Sequence, residues 1–315
     1  MKKFFMLVVA MVLMLSFAVS AEDTKLMIFH AGSLAKPFKE MKEAFEAENS
    51  GVEVLLEAAG SRACARKITD QHRQADVMGS ADESVIRSLL MPEYADYCLN
   101  FVSNEMVIMY NEKSKYADEI NSDNWYEILL KNDTEYGHSE PNKDPCGYRA
   151  LMTWQLAEKY YKVENLNNKL IEARPIKNIR PKETDLLAML DAGELDYLFI
   201  YKSVAEQHHS KYVELPREIN LGSFDLEEYY KTASVELDGK NPGEKITEYG
   251  APMVYGITVP NNAEHKELGE KFVEFVLSDK GQAIMKKNGH PIIAPALTKE
   301  FDKLPENLKK LAKSI

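Results

Sequence analysis

Short apolar runs that end in Gly/Ser turns alternate along this chain with stretches carrying apolar residues at helical spacing. Residues 26–39, LMIFHAGSLAKPFK, set the pattern: an apolar run breaks at Ala31-Gly32-Ser33 and resumes with helical spacing through Phe38, Met41 and Phe45. This predicts a strand, a tight turn and a helix. The first turn of such a helix carries unpaired N–H groups and the positive end of the peptide dipoles, so an anion fits there. Ser33 stands at the N-cap position, where its hydroxyl either satisfies the helix or donates to a bound oxyanion, and Gly32 admits a close backbone approach. An ordinary strand-to-helix turn carries the same signature.

The pattern repeats in VEVLLEAAGSRACARKI, which breaks at Ala59-Gly60-Ser61 and continues as a predicted helix from Arg62. Two such units place Ser33 and Ser61 together at the carboxyl edge of one sheet, where open α/β sheets bind ligands. Residues 75–82 read as a third strand, followed by a helix around Val85–Leu90 that ends before Met91-Pro92. Residues 104–114 read as a buried strand leading away from this first unit, and residues 125–130 as a short amphipathic helix. Pro141, Pro145 and Gly147 interrupt the next stretch, so a helix is expected from near Tyr148, with Asp144 in the loop before it as a cap. Residues 179–209 predict a helix from about Thr184, a turn at Ala192-Gly193 and an apolar strand from Leu195 to Tyr201. Glu183 and Asp185 precede that helix and can cap it, and Tyr201 closes the strand. A polar region with Tyr229-Tyr230 and a hairpin-like stretch around Asp238–Gly243 follows. Residues 251–260 then predict a strand that returns the chain to the first unit, with a helix over 264–277 and a final helix and strand.

The start of the chain departs from this alternation. Lys2 and Lys3 precede an apolar stretch from Phe4 to Val19 and the small residues Ser20-Ala21, the form of a signal peptide cleaved after Ala21. Residues 22–315 are too many for one core to serve well, so two lobes are expected. The leader removes two lysines and no acid, taking net charge from −11 to −13. So acidic a protein does not attract nucleic acid or acidic lipid through its general field, and any anion it binds is held by local geometry. Cys64, Cys98 and Cys146 are too few for a disulfide framework and lack the spacing of a zinc site; one disulfide at most can form. The chain contains no GxGxxG, P-loop lysine motif, GxSxG or HExxH.

FHAGSL, AGSR, DPCGYR, KETDLLA and FIYKSVA, in this order behind a signal peptide, resemble the archaeal-type tungstate/molybdate-binding proteins that serve ABC transporters. The resemblance spans nearly the whole mature chain. It implies an α/β type II periplasmic-binding-protein fold, two lobes joined by crossover strands with the oxyanion between them. The lobes would be 22–106 with 252–315, and 107–251. It further implies that Ser33, Ser61 and Tyr201 hold the oxyanion and that Asp144 and Glu183 coordinate its tungsten or molybdenum. The expected protein is an extracytoplasmic, monomeric binding protein without cofactor or enzymatic activity, delivering tungstate or molybdate to a membrane permease. The segment between DPCGYR and RPKETD is shorter than in longer members of that family, which bears on the surface of the second lobe.

Two carboxylates aimed at a dianion have a physical rationale. Unlike charges would be the natural choice, since like charges about 4 Å apart repel by roughly 4 kcal/mol at an effective dielectric of 20. A d0 tungsten or molybdenum centre accepts further oxygen ligands, whereas the sulfur of sulfate does not, so the same carboxylates favour one ion and reject the other. Two other readings stay open on the residues alone. Tyr229-Tyr230 suits a ferric-iron site on a similar fold, with sulfate or phosphate as other possible cargo, and Asp144 with Glu183 suits an acid/base pair in an extracellular enzyme.

Overall fold

The structure is a computed structural model that describes residues 23–315. The expected leader and its cleavage point lie outside the described residues. Among the described residues, no helix is long and apolar enough to cross a membrane.

Strands β1 (Thr24–Ala31), β2 (Val52–Ala59), β3 (Val77–Ser80) and β4 (Leu99–Ser103) open the chain and belong to one sheet. The next five, β5 (Met106–Tyr110), β6 (Tyr136–Ser139), β7 (Ile179–Arg180), β8 (Tyr197–Tyr201) and β9 (Lys211–Glu214), form a second sheet in the order β7-β6-β8-β5-β9. A hairpin of β10 (Ser234–Asp238) and β11 (Lys245–Tyr249) follows, at the place where the polar stretch 238–243 predicted a turn. The chain then rejoins the first sheet through β12 (Val254–Thr258), β13 (Ile292–Thr298) and β14 (Ala312–Ser314), giving the order β14-β13-β4-β12-β3-β1-β2. The chain therefore leaves the first sheet at Asn104-Glu105, between β4 and β5, and rejoins it between β11 and β12.

The repeated strand–turn–helix unit folds as its pattern dictates. β1 and β2 run parallel with Ala31 opposite Ala59, so the two Ala-Gly-Ser turns lie side by side at one sheet edge. α1 (Ala35–Glu48) and α2 (Ser61–Thr69) follow them. Phe38, Met41 and Phe45 form the buried face of α1, where Phe38 and Phe45 meet Phe272 edge-on at centroid separations of 5.9 and 5.2 Å. Two boundaries differ from expectation. A short 3-10 turn, Gly32–Leu34, takes up Ser33, so α1 starts at Ala35; α2 starts one residue earlier than Arg62, at Ser61.

In the second sheet, β6 runs parallel to both β7 and β8. α3 (Trp125–Leu129) packs near it, and α4 (Pro145–Tyr161) begins at Pro145, three residues before the expected Tyr148. Proline at the first helical position costs nothing, because its missing N–H would have no intrahelical partner there. α5 (Leu166–Ala173) was not visible in the pattern, and α6 (Asp185–Ala192) starts where predicted. Buried Trp154 of α4 meets Tyr136, His138 and Phe199 edge-on, at 6.1, 5.3 and 5.4 Å. All three cysteines are buried and free.

Trp154→Ala removes the ring that the second sheet and α4 share and is expected to cost about 3–5 kcal/mol. Denaturant unfolding followed by circular dichroism measures it; a loss below about 1 kcal/mol would mean that this ring is not the centre of the second core.

Candidate functional site

All five residues expected at a site sit just past the carboxyl ends of parallel strands. Ser33 follows β1 and Ser61 follows β2; Asp144 follows β6, Glu183 follows β7 and Tyr201 ends β8. The two sheets present these edges to each other. A Cβ on Gly32 would lie 2.8 Å from a Glu183 carboxylate oxygen, and one on Gly60 would strike the Lys143 carbonyl and stand 2.9 Å from the Asp144 Cβ. The amide of Ala63, in α2, donates to that Lys143 carbonyl at 3.1 Å. Glycine at 60 is thus required by the close approach of the Lys143 backbone, whereas at 32 the neighbour is the end of the Glu183 side chain.

The hydroxyls share one polarity. Ser33 Oγ accepts from the Tyr255 phenol of β12 in the same sheet, at 2.9 Å, and makes no N-cap bond. Ser61 Oγ accepts the Ala81 amide at 2.9 Å, and Tyr201 Oη accepts an Arg149 guanidinium N–H at 3.1 Å. An amide N–H and a guanidinium can only donate. Each oxygen therefore uses a lone pair on a protein donor and keeps its own proton for another acceptor. Burial holds the Tyr201 phenol well above its ordinary pKa, against the pull of Arg149, so it stays protonated.

The carboxylates are asymmetric. Asp144 does cap α4: one oxygen accepts the Cys146 amide at 3.1 Å, and the other accepts the Glu183 amide at 2.9 Å. Its position is thereby set by two backbone donors. Glu183 caps nothing. It is 1% exposed, and both its carboxylate oxygens lack a hydrogen-bond partner among the described residues. Burial, and after it the charge and contact of Asp144, push the Glu183 carboxyl well above its ordinary value. An unpartnered carboxylate in such a place is costly unless something else occupies its oxygens.

Around these residues stands a set that the sequence pattern did not reveal. Arg149, one turn into α4, donates to the Ala81 carbonyl at 2.7 Å and to Asp82 at 2.6 Å. Tyr148 donates to the same Asp82 oxygen at 2.7 Å. Burial works against the Arg149 charge, but Asp82 and the surrounding phenols outweigh it and raise its pKa. This buried ion pair ties the second lobe to the first. Arg149 stood in plain view within DPCGYR, but nothing in its spacing pointed to a partner 67 residues away. Asn104 sits in the first crossing and Tyr255 in β12 directly after the second, and neither carried a local signal.

Tyr229 and Tyr230, considered for iron, lie elsewhere in a short helix, Glu227–Tyr230. The Tyr230 hydroxyl donates to the Arg217 carbonyl and accepts the Ser223 amide, so it is spent on local structure. Among the described residues no cluster of three or more His, Cys, Asp or Glu side chains could hold a metal ion.

The geometry agrees with what related proteins are. A solute-binding protein from Petrotoga mobilis, described as uncharacterized, is 56% identical over 295 residues, covering 93% of this chain and 92% of that one. A protein from Pyrococcus abyssi named molybdate/tungstate-binding protein WtpA is 43% identical over 316 residues, covering 92% and 90%. Among solved structures, the periplasmic molybdate-binding protein of Azotobacter vinelandii superimposes with a TM-score of 0.60 at 17% identity, covering 85% of this chain and 98% of that one. The fold is accordingly that of the periplasmic binding proteins, and these relatives are described as solute-binding or molybdate/tungstate-binding proteins. Residues 26–290 match the family described as bacterial extracellular solute-binding protein, and the chain belongs to that family.

Proposed function

We propose that this protein binds tungstate or molybdate between its lobes and delivers it to an ABC transporter permease. One observation carries the reading: three buried hydroxyls, each accepting one hydrogen bond from a protein donor and each with its own proton left to donate, stand beside a buried carboxylate with no partner on either oxygen among the described residues. Ser33, Ser61 and Tyr201 donate to the oxyanion oxygens. Asp144, held by two amides, and Glu183, held by burial alone, each offer an oxygen to the metal and raise a four-coordinate ion to six. The metal here is cargo. Ferric iron fits worse, because a ferric site needs phenolate oxygens, whereas Tyr201 accepts from Arg149 and keeps its proton. Hydrogen phosphate is the stronger competitor, since the free oxygens of Glu183 could accept its proton; the relatives' names weigh toward tungstate and molybdate.

The lobes in this proposal are 22–106 with 252–315, and 107–251; the sheet changes at 104–105 and between 249 and 254 support them. A cleaved leader and an extracytoplasmic, monomeric protein complete it. The family's extracellular character supports that location.

Calorimetry with tungstate, molybdate, sulfate and phosphate tests the site. Asp144→Ala or Glu183→Ala is expected to weaken tungstate at least about tenfold, roughly 1.4 kcal/mol, and to leave sulfate unchanged or improved. Ser33→Ala weakens both. Carboxylate variants that bind tungstate like the parent would reduce Asp144 and Glu183 to structural roles.

Closure has its own test. Gly60→Val puts a side chain where Lys143 and Asp144 arrive, so small-angle scattering should show the parent contracting with tungstate and the variant not. Contraction in both would place the lobe contact elsewhere.

The raised Glu183 pKa predicts a pH effect. The folded state binds this proton more tightly than the unfolded chain, so its contribution is fully present below about pH 4.5, the unfolded value, and is lost as pH rises above it. Glu183→Gln should therefore melt higher than the ligand-free parent at pH 7 and converge with it near pH 4. Equal melting at both values would mean that the ligand-free protein keeps Glu183 in water.

A further inference from the structure

The donor state of Ser33 has an origin that can be traced backward. Asn104 lies in the first crossing between the sheets and is buried. Its side-chain oxygen accepts two backbone amides, Glu105 at 3.0 Å and Ser203 at 3.3 Å. Those two amides fix which end of the side chain is which, because an N–H cannot accept. The other end is then an NH2 group, and it donates one hydrogen to Ser203 Oγ at 2.7 Å and the other to Tyr255 Oη at 3.0 Å. Tyr255 is buried between Tyr201 and His290, with ring centroids at 6.0 and 5.4 Å, so its hydroxyl has little freedom to turn. Having accepted from Asn104, it donates to Ser33 Oγ at 2.9 Å. Each link has one direction only.

We propose that Asn104 and Tyr255 form a one-way hydrogen-bond relay that presents Ser33 as a donor, making them positioning residues that aim the Ser33 proton at the oxyanion. The inference rests on the reading of this cleft as an oxyanion site and adds how its polarity is imposed. An oxyanion that bears no proton meets donors at every hydroxyl. One that bears a proton meets the Ser33 O–H as well, and finds its best acceptors in the free oxygens of Glu183. The relay also starts at the crossing and includes Ser203, which opens the helix Lys202–Gln207 after β8 of the second sheet. Ser33, in the first lobe, is therefore oriented by atoms held in the second.

The polarity can be reversed by one substitution. Asn104→Asp keeps the shape and both amide bonds but replaces the NH2 donor with an acceptor. Tyr255 then donates to residue 104, Ser33 donates to Tyr255, and Ser33 has only lone pairs left to turn toward the oxyanion. Tyr255→Phe removes the link without reversing it, so Ser33 rotates freely. The test is a pair of double-mutant cycles against Ser33→Ala, read by tungstate and sulfate calorimetry on folded protein. Asn104→Asp is expected to weaken tungstate at least about tenfold and Tyr255→Phe about threefold to tenfold. In the Ser33→Ala background both effects should shrink to within about twofold. Simple repulsion by the new charge, or a general loss of packing, would persist there, and full persistence overturns the relay. Should Asn104→Asp fail to fold, the Tyr255→Phe cycle decides alone by the same criterion. A parent protein that binds none of tungstate, molybdate, sulfate and phosphate overturns the oxyanion reading itself; binding by the parent with additive cycles overturns only the relay.

Discussion

A carboxylate buried with no partner on either oxygen is the constraint around which the interface between the lobes is arranged. Glu183 is enclosed when the β7 edge of one sheet meets the Gly32 turn of the other, and desolvating such a group costs several kcal/mol if it is charged. Other contacts across the same interface offset that cost. Arg149 is paired with Asp82 and bonded to the Ala81 carbonyl, Tyr148 shares Asp82, and the Lys143 carbonyl takes the Ala63 amide. The lobes are thus held together by satisfied polar groups around one that is left unsatisfied. A ligand able to take up the Glu183 oxygens would be favoured by the whole of that unmet demand.

The two carboxylates differ in how they are held, and the difference has consequences. Asp144 is anchored by the cap of α4 and by the Glu183 amide, so the backbone sets its place before anything binds. Glu183 gets its place from chain geometry and enclosure. The Asp144–Glu183 amide bond couples them, because the residue whose side chain is free supplies the backbone donor that fixes its neighbour. The hydroxyls show the same economy of means. A backbone amide, a guanidinium and a side-chain amide each engage a lone pair on one hydroxyl or on the hydroxyl behind it. Each of Ser33, Ser61 and Tyr201 is consequently left with its own proton to donate.

Polar groups that couple the lobes lie where the chain passes between them. Asn104 occupies one crossing, and Tyr255 lies in β12, directly after the other. The hairpin β10–β11 reaches back as well: Arg62 and Arg66 of α2 bond the carbonyls of Asp238 and Gly239, and Lys240 meets Glu93 at 2.8 Å. Arg62 is itself buried, whereas Arg66 and the Lys240–Glu93 pair are more exposed than Arg149 and Asp82, and an exposed ion pair contributes little.

What the sequence determined by itself was local and periodic. The apolar runs and helical spacing of residues 26–45 specify β1 and α1, because burying Phe38, Met41 and Phe45 on one face leaves no other arrangement. The repeated Ala-Gly-Ser turns put Ser33 and Ser61 on one sheet edge, and the parallel pairing of Ala31 with Ala59 confirms it. Asp144 was legible as a cap for the same reason, since its partner is two residues away. Glu183 read equally well as a cap, and only the tertiary structure shows both its oxygens empty. Arg149, Asn104 and Tyr255 were invisible, because their partners lie about 50 to 150 residues distant and no short-range pattern encodes a contact that the packing of two sheets creates. Local spacing determines which side chains reach the sheet edges; the meeting of those edges determines which of them remain unsatisfied, and with that the chemistry of the cleft.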